Sequence, residues 1–124
     1  MQTISLALAL GLAGACGAVA RFGVVEWVAR HWLNHFPLAT LIINVSGAFA
    51  LGFLMTVGAG WGAWRAVLGT GFLGGYTTFS TLSFETDSLA RRGHTRYAWL
   101  NALGSLAAGI AAAALGIALG SLLH

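Results

Sequence analysis

Four long stretches of this chain contain no Asp, Glu, Lys or Arg, and they cover residues 1–20, 31–64, 66–84 and 97–124. A helix that crosses a bilayer needs about 20 apolar residues, so each stretch is close to or above the required length. Only 7% of the residues are charged, whereas soluble domains carry about 25%. The chain is therefore predicted to be an all-α integral membrane protein.

The same stretches nearly fill the 124 residues, which predicts one four-helix transmembrane domain over residues 1–124 and no soluble domain. The predicted helices cover residues 3–29, 38–57, 64–90 and 96–121. The first is not expected to be a cleavable signal peptide, because no basic residue precedes it and its apolar character continues past any cleavage site. Gly116 and Gly120 form a GxxxG pattern, which is typical of close helix packing in lipid.

The basic residues are all arginines, and they are unevenly distributed between the two sides of the predicted membrane domain. With four spans, one side receives Arg30, Arg91, Arg92 and Arg96, while the other receives Arg65. The positive-inside rule then places the first set in the cytoplasm and both termini outside. Loop arginines of this kind account for the basic charge of a membrane protein without any nucleic-acid partner.

The sequence contains no pattern that favours an enzyme. Residues 69–74 fit G-x-G-x-x-G, but a dinucleotide site requires a preceding strand, and this pattern lies inside a predicted span. No Ser-His-acid set and no cluster of metal ligands appears, and the single cysteine, Cys16, excludes an intrachain disulfide.

Residues 71–85, GFLGGYTTFSTLSFE, place polar and helix-weakening residues inside the third predicted span. A glycine in a helix interior costs about 1 kcal/mol, and Gly74-Gly75 precedes hydroxyl side chains at positions 77, 78, 80 and 81. Hydroxyls satisfy backbone groups that a break frees, and broken helices at membrane depth line cavities or bind ions. We therefore predict a third helix that is broken at Gly74-Gly75 and Thr77-Thr78. The alternative is an unbroken packing crossing whose hydroxyls bond the carbonyls four residues back.

Other polar side chains are predicted to lie within the spans. Asn44 lies in the first half of the second helix, and Tyr97, Asn101 and Ser105 recur every four residues, so they share one face of the fourth. Arg21 lies near the end of the first, where a charge indicates function unless the side chain snorkels to the interface. Individually these residues also fit helix–helix contacts. Together they form a track of uncharged donors with an arginine at one end, which suits a small anion.

The stretch GGYTTFSTLSFE, residues 74–85, resembles the signature of the Fluc/CrcB fluoride channel family, usually G-G-x-T-T-F-S-T-F-x-x-E. Asn44-Val45-Ser46-Gly47, with Thr40 four residues earlier, resembles the family's second-helix motif. Gly17-Ala18-Val19-Ala20-Arg21-Phe22 resembles its first-helix motif. The similarity covers the whole chain, including its length and its four spans.

The resemblance implies an antiparallel, dual-topology dimer with two fluoride pores in a lipid membrane. It also implies a structural sodium ion on the two-fold axis, held by the backbone carbonyls of Gly74 and Thr77 of each subunit. A multi-pass location in the plasma membrane is expected, or in the inner membrane if the source is a Gram-negative bacterium.

By motif position, the resemblance also assigns residues to the fluoride path. The assigned residues are Arg21, Asn44, Phe79, Ser80, Thr81, Leu82, Tyr97, Asn101 and Ser105. The family's vestibule glutamate corresponds to Glu85.

Two positions depart from the family pattern. The paired pore phenylalanines of the family lie three residues apart, and the corresponding residues here are Phe79 and Leu82. Phe84 lies two residues further on, so we expect it to point away from the position of Leu82. Asn101 stands where the family often has serine, which is a conservative change because an amide also donates hydrogen bonds.

Fluoride is small and strongly hydrated, so a pore must replace its water with donors that do not hold the ion too tightly. Hydroxyls and amides meet this need without fixed charge, and aromatic ring edges carry partial positive charge. No Lys or Arg lies between Arg65 and Arg91. We therefore expect a passive fluoride-exporting channel that protects against fluoride toxicity.

Two other functions stay open from the sequence. A small four-helix multidrug or cation transporter would need a membrane carboxylate for proton coupling, whereas Glu26, Glu85 and Asp87 all lie near predicted helix ends. A non-transporting assembly subunit would need only the glycine packing. For the channel itself, the unequal arginine distribution leaves a heteromeric pair of oppositely oriented chains as the alternative to a homodimer.

Overall fold

The computed structural model describes residues 2–34 and 36–123, so Met1, His35 and His124 lie outside the described residues. Three long helices dominate it: α1 (Thr3–His31), α2 (Leu38–Val57) and α6 (Thr95–Leu123). Their most apolar windows have mean hydropathies of 1.9, 2.0 and 2.1, and each helix is long enough to cross a membrane. The predicted first, second and fourth helices are confirmed to within a few residues at each end. The described residues contain no strand.

The third predicted helix is divided into consecutive elements: α3 (Ala63–Ala66), a π-helix (Val67–Leu73), α4 (Gly74–Tyr76) and α5 (Phe79–Arg91). The first three follow one another without interruption. The π-helical geometry is rare and is frequently found at functional sites. Because this region is divided, the described residues contain three continuous helices of spanning length rather than four.

The helix break lies at Thr77 and Thr78, which have extended backbone with ψ angles of 157° and 122°. The predicted break is therefore confirmed, but Gly74 and Gly75 remain helical. The expectation that the glycine pair forms part of the break is wrong. The hydroxyl residues, whose side chains can replace helical hydrogen bonds, occupy the break instead.

The glycines allow α1 to approach the segment before the break. A side chain on Gly17 would collide with the carbonyl oxygen of Phe72, and one on Gly75 would collide with the carbonyl oxygen of Gly14. In lipid no hydrophobic effect drives helices together, so they associate through close backbone-to-backbone contact of this kind. The cost of Gly75 in a helix is thus offset by packing.

The GxxxG pattern of α6 packs closely against another helix, as its spacing predicts, and that helix is α2. Gly116 and Gly120 are both buried. A side chain on Gly116 would collide with the carbonyl oxygen of Phe49, and one on Gly120 would lie 2.8 Å from Cβ of Thr56. The close α2–α6 contact and the α5–α6 contact hold α5 against the rest of the bundle.

Large apolar side chains cover much of the outer surface of the single chain. Leu12 is 70% exposed, Phe22 65% and Leu122 82%. In contrast, Ile43 and Asn101 are the largest fully buried side chains of the described residues. Contiguous apolar surface on this scale is typical of contact with lipid or with another subunit.

Candidate ion pathway at the helix break

The side-chain amide of Asn44 forms hydrogen bonds with the backbone of the broken helix. Its Oδ1 accepts a hydrogen bond from the N–H of Thr78 over 2.9 Å, and its Nδ2 donates to the carbonyl oxygen of Thr78 over 2.8 Å. The amide of α2 thus replaces the hydrogen bond that the Thr78 N–H would give to the carbonyl of Gly74 in a continuous helix. A break at membrane depth is tolerated when side chains satisfy its backbone groups in this way.

Thr78 also caps the second half of the broken helix. Its Oγ1 accepts a hydrogen bond from the N–H of Thr81 over 3.2 Å and donates to Oγ1 of Thr81 over 3.0 Å. The hydroxyl of Ser80 lies 3.4 Å from the same oxygen. An N-terminal threonine cap satisfies one of the free N–H groups of α5. The hydroxyl run therefore starts a new helix and is clustered at its positive end.

The first half of the broken helix leaves carbonyl oxygens without helical partners. Thr77 donates both its N–H and its hydroxyl to the carbonyl of Leu73, each over 2.9 Å. Among the described residues, no further backbone N–H outside a regular helix donates to the carbonyl of Gly74 or Thr77. Both residues line a cavity of about 370 Å³, which also contacts Asn44 and Gly47.

A groove between α5 and α6, of about 870 Å³, gathers the predicted path residues Asn44, Phe79, Leu82 and Ser105. Most of the remaining wall is apolar. The charged residue in its lining is Asp87, whose Oδ2 accepts from Nε of Arg91 over 2.7 Å. The lining contains no cation.

A third cavity, of about 380 Å³, contains the predicted path residues Arg21 and Thr81, and we call it the arginine cavity. Thr40 and Thr78 add two further hydroxyl residues to its wall, opposite the apolar side chain of Phe22. Arg21 forms no ion pair with any described residue. Four predicted path residues thus line the groove and two line the arginine cavity, and the Asn44–Thr78 contact joins a residue of the groove to a residue of the arginine cavity.

The polar face of α6 is confirmed as one face, but its members have different environments. Asn101 is 0% exposed and Ser105 6% exposed. Nδ2 of Asn101 donates to Oγ1 of Thr86 over 2.9 Å. Tyr97 does not line the groove and instead packs edge-on against Phe36, with ring centroids 6.3 Å apart.

Two of the predicted path residues lie on the surface of the single chain. Phe79 is 80% exposed, and Ser80 is exposed beside it. Phe84 is 73% exposed and lines a separate cavity, so it does point away from the position of Leu82. An exposed ring next to a helix break indicates a surface that another chain or lipid covers.

Glu85 lies in that separate cavity of about 320 Å³, together with Asn34, Ser88 and Arg92. Its Oε1 is buried without a hydrogen-bond partner among the described residues. The hydroxyl of Thr40 lies close to this carboxylate. Glu85 therefore lies between two cavities, since Thr40 also lines the arginine cavity.

Three threonines at the site were not among the predicted path residues. Thr40 and Thr78 line the arginine cavity, and Thr86 lines the groove. Helical spacing gives a signal for two of them, because Thr40 lies one turn before Asn44 and Thr86 one turn after Leu82. The described residues contain no group of three His, Cys, Asp or Glu side chains that could hold a metal ion.

The apolar helices, the interrupted third helix and the hydroxyl-lined cavities define a multi-pass membrane protein with polar cavities at its helix break. Residues 8–117 match the family described as "CrcB-like protein, Camphor Resistance (CrcB)". Since this match covers most of the chain, the chain belongs to the CrcB family.

Individual relatives agree with this assignment over nearly their full lengths. "Fluoride-specific ion channel FluC 1" of Leifsonia xyli subsp. xyli is 46% identical, with 98% of this chain and 90% of the relative aligned. "Fluoride-specific ion channel FluC 1" of Symbiobacterium thermophilum is also 46% identical, over 90% of this chain and 94% of the relative. "Fluoride-specific ion channel FluC 2" of Bacillus cereus is 38% identical, over 94% of this chain and 98% of the relative.

Proposed function

We propose that this chain is a fluoride-selective channel that lets the anion leave the cell passively and so protects against its toxicity. Membership of the CrcB family and the printed names of its relatives support fluoride as the ion. The structural observation that carries the proposal is the groove between α5 and α6. It places the Ser105 hydroxyl and the Phe79 ring together without a lining cation.

The chemistry of this groove suits an anion that must lose water. Hydroxyl and amide groups supply hydrogen-bond donors, and the edge of Phe79 supplies partial positive charge. Conduction needs binding that is favourable enough for entry yet weak enough for release, which neutral donors provide better than a fixed cation. Arg21, in the other cavity, would attract anions towards the break without lying in the groove itself.

The functional unit that we propose is an antiparallel dimer of four-span subunits, with the two halves of the broken helix together making the third span. The exposed ring of Phe79 supports a partner at the break, because a single chain leaves it 80% exposed. A second copy in the opposite orientation would cover it and complete two pores. A heteromeric pair is the alternative, supported by Arg30, Arg91 and Arg92 lying near one end of the bundle.

A structural sodium ion fits the same arrangement. The carbonyls of Gly74 and Thr77 lack helical partners and line one cavity, and uncharged oxygens of this kind replace the hydration shell of a monovalent cation. One chain offers too few oxygens for a full shell, so a second chain would supply the others. When bound, the ion would fix the two breaks against each other.

The proposed location is the plasma membrane, or the inner membrane in a Gram-negative source. A multi-pass arrangement there would give trapped fluoride a path out of the cytoplasm. The weak acid HF crosses lipid and dissociates inside, so a passive anion path is enough to remove it.

The test is ion efflux from liposomes that contain the purified protein, followed with fluoride and chloride electrodes. We expect rapid release of fluoride and retention of chloride. Equal release of both ions, or release of neither, would contradict the proposal. Proton-driven uptake of a cationic dye by the same vesicles would support a multidrug transporter instead. Fluoride release by this chain purified alone would exclude an obligate heteromeric pair.

A further inference from the structure

The contact between α5 and α6 contains buried polar atoms that the fold leaves unsatisfied. Asn101 is 0% exposed, and its Nδ2 donates to Oγ1 of Thr86 over 2.9 Å. Its Oδ1 has no hydrogen-bond partner among the described residues, and neither does the buried Oγ of Ser105, one turn further along α6. Buried polar groups are nearly always paired, so two unpaired atoms on one helix face indicate a missing partner.

The hydroxyl of Thr86 can satisfy either end of the Asn101 amide. In the structure it donates to the carbonyl oxygen of Leu82 over 2.8 Å, which leaves its lone pairs to accept from Asn101. A hydroxyl can both donate and accept, so it can instead donate to Oδ1 of an amide that has turned over. The carbonyl of Leu82 would keep the N–H of Thr86 as its regular helical partner within α5.

Turning the amide over would reverse the polarity of the unsatisfied atoms. The two ends of a carboxamide have nearly the same size and shape, so the fully buried side chain needs no repacking. In the observed orientation, Asn101 presents an unpaired acceptor on the face that carries Ser105. In the other orientation it presents two N–H donors on that face. Together with the hydroxyl of Ser105, these donors favour an anion.

We propose that Asn101 is a positioning residue that turns its amide over when fluoride occupies the groove at Ser105. Thr86 is the hydroxyl that satisfies the amide in both orientations. Leu82, Thr86 and Ser105 all line this groove, and the buried Asn101 reaches it through its hydrogen bond to Thr86. The inference rests on the proposed function, because it takes fluoride as the occupant of the groove.

This role links the two positions at which the chain departs from the family pattern. Leu82 supplies no ring edge, but its carbonyl accepts the Thr86 hydroxyl, which in turn binds Asn101. An asparagine at position 101 can turn extra donors towards the groove, whereas a serine has a single hydroxyl. The partial positive charge that a ring edge would supply at position 82 is thereby supplied by N–H donors from α6.

The amide can be observed directly, because the chain contains only three asparagines, Asn34, Asn44 and Asn101. Protein labelled with ¹⁵N at asparagine side chains gives three NH₂ signal pairs, and Asn101→Leu identifies one of them. We expect sodium fluoride to shift the Asn101 pair, whereas sodium chloride at equal concentration does not. The sodium chloride titration serves as the control for a general effect of salt. An Asn101 pair that stays fixed in a preparation that conducts fluoride would overturn the proposal.

Flux measurements test the part played by Thr86. Thr86→Val removes the hydroxyl at nearly constant volume, and we expect fluoride efflux to fall about tenfold, while Thr86→Ser stays within about twofold of the native chain. Thr86→Val combined with Asn101→Leu should be no slower than the slower single variant, since both remove the same hydrogen bond. The inference would be contradicted if the loss of efflux in the double variant equalled the product of the two single losses. It would also be contradicted if Thr86→Val conducted fluoride normally.

These outcomes separate the inference from the proposed function. A native chain that releases no fluoride would contradict the proposed function itself. A native chain that releases fluoride, with an unresponsive Asn101 amide, would contradict only the inference. If Thr86→Val fails to fold, the fluoride titration of the native chain still decides the matter.

Discussion

The groove and the arginine cavity are both close to Thr78 and Asn44, yet they differ in the charge of their walls. The groove is lined by Asn44, Phe79 and Ser105, and its acidic residue is paired with an arginine. The arginine cavity has Arg21, with Thr40 and Thr81 beside it. A fixed cation attracts an anion and holds it, whereas neutral donors exchange it more easily. The difference favours attraction at Arg21 and passage along the groove.

The largest effect is expected at Asn44, because it lines the groove and clamps Thr78 across the break. Asn44→Asp removes the donor to the Thr78 carbonyl and places negative charge in the groove. A like charge about 4 Å from the anion costs about 4 kcal/mol at intermediate dielectric, so efflux should fall at least about 100-fold. Gln2→Glu, the same change at an exposed terminal residue, should conduct normally. Near-native efflux by Asn44→Asp would show that the groove is not the path.

Phe79→Ile tests the exposed ring at the start of α5. Replacing an aromatic edge by an aliphatic group removes partial positive charge from the path, and we expect fluoride efflux to fall about tenfold. Phe84→Ile is the matched control, because Phe84 is similarly exposed but lines the separate cavity. Equal losses in the two variants would indicate a general packing effect and not a role in conduction.

Arg21→Gln tests whether Arg21 attracts fluoride without taking part in its passage along the groove. Removing the charge should lower efflux about threefold and flatten its dependence on ionic strength, because steering by a fixed charge is screened by salt. Selectivity for fluoride over chloride should not change. Arg96→Gln, at an exposed arginine, should leave both properties as they are. Loss of selectivity in Arg21→Gln would place the selective step in the arginine cavity instead.

The smallest effect is expected from Leu82→Phe, which restores the aromatic residue of the family pattern. Leu82 lines the groove and is half-buried, so an added ring edge would face the path. An aromatic contact at the weak end of its range is worth about 0.5 kcal/mol, so we expect efflux to rise by only about twofold. A strong decrease in efflux would show that the groove is already fitted to leucine.

Regular features of the fold could be predicted from the sequence, because they depend on local composition. Uncharged stretches of sufficient length predict α1, α2 and α6, and the spacing of Gly116 and Gly120 predicts close packing of α6 but not that α2 is its partner. The break was predicted in the right helix and at Thr77-Thr78, but the prediction also included Gly74 and Gly75, which remain helical. A glycine's cost to a helix is local, whereas its contact with α1 depends on tertiary packing and offsets that cost.

The division of the predicted path into two cavities could not be predicted in the same way. Asn44 and Thr78 are 34 residues apart, and only the packing of α2 against the break brings the amide to that backbone. The role of Thr86 depends likewise on its contact with Asn101 across the α5–α6 interface. Periodicity places residues on a face of a helix, but it does not specify which group of another helix they meet.

The most direct test of passive, fluoride-selective conduction is the reversal potential of single channels in a planar bilayer with sodium fluoride on one side and sodium chloride on the other. Current carried by fluoride alone should drive the reversal potential strongly towards the fluoride equilibrium value, and a proton gradient should not move it. A reversal potential near zero would mean that chloride passes as well. A reversal potential that follows the proton gradient would mean proton-coupled transport, and either result would contradict passive conduction through a fluoride-selective groove.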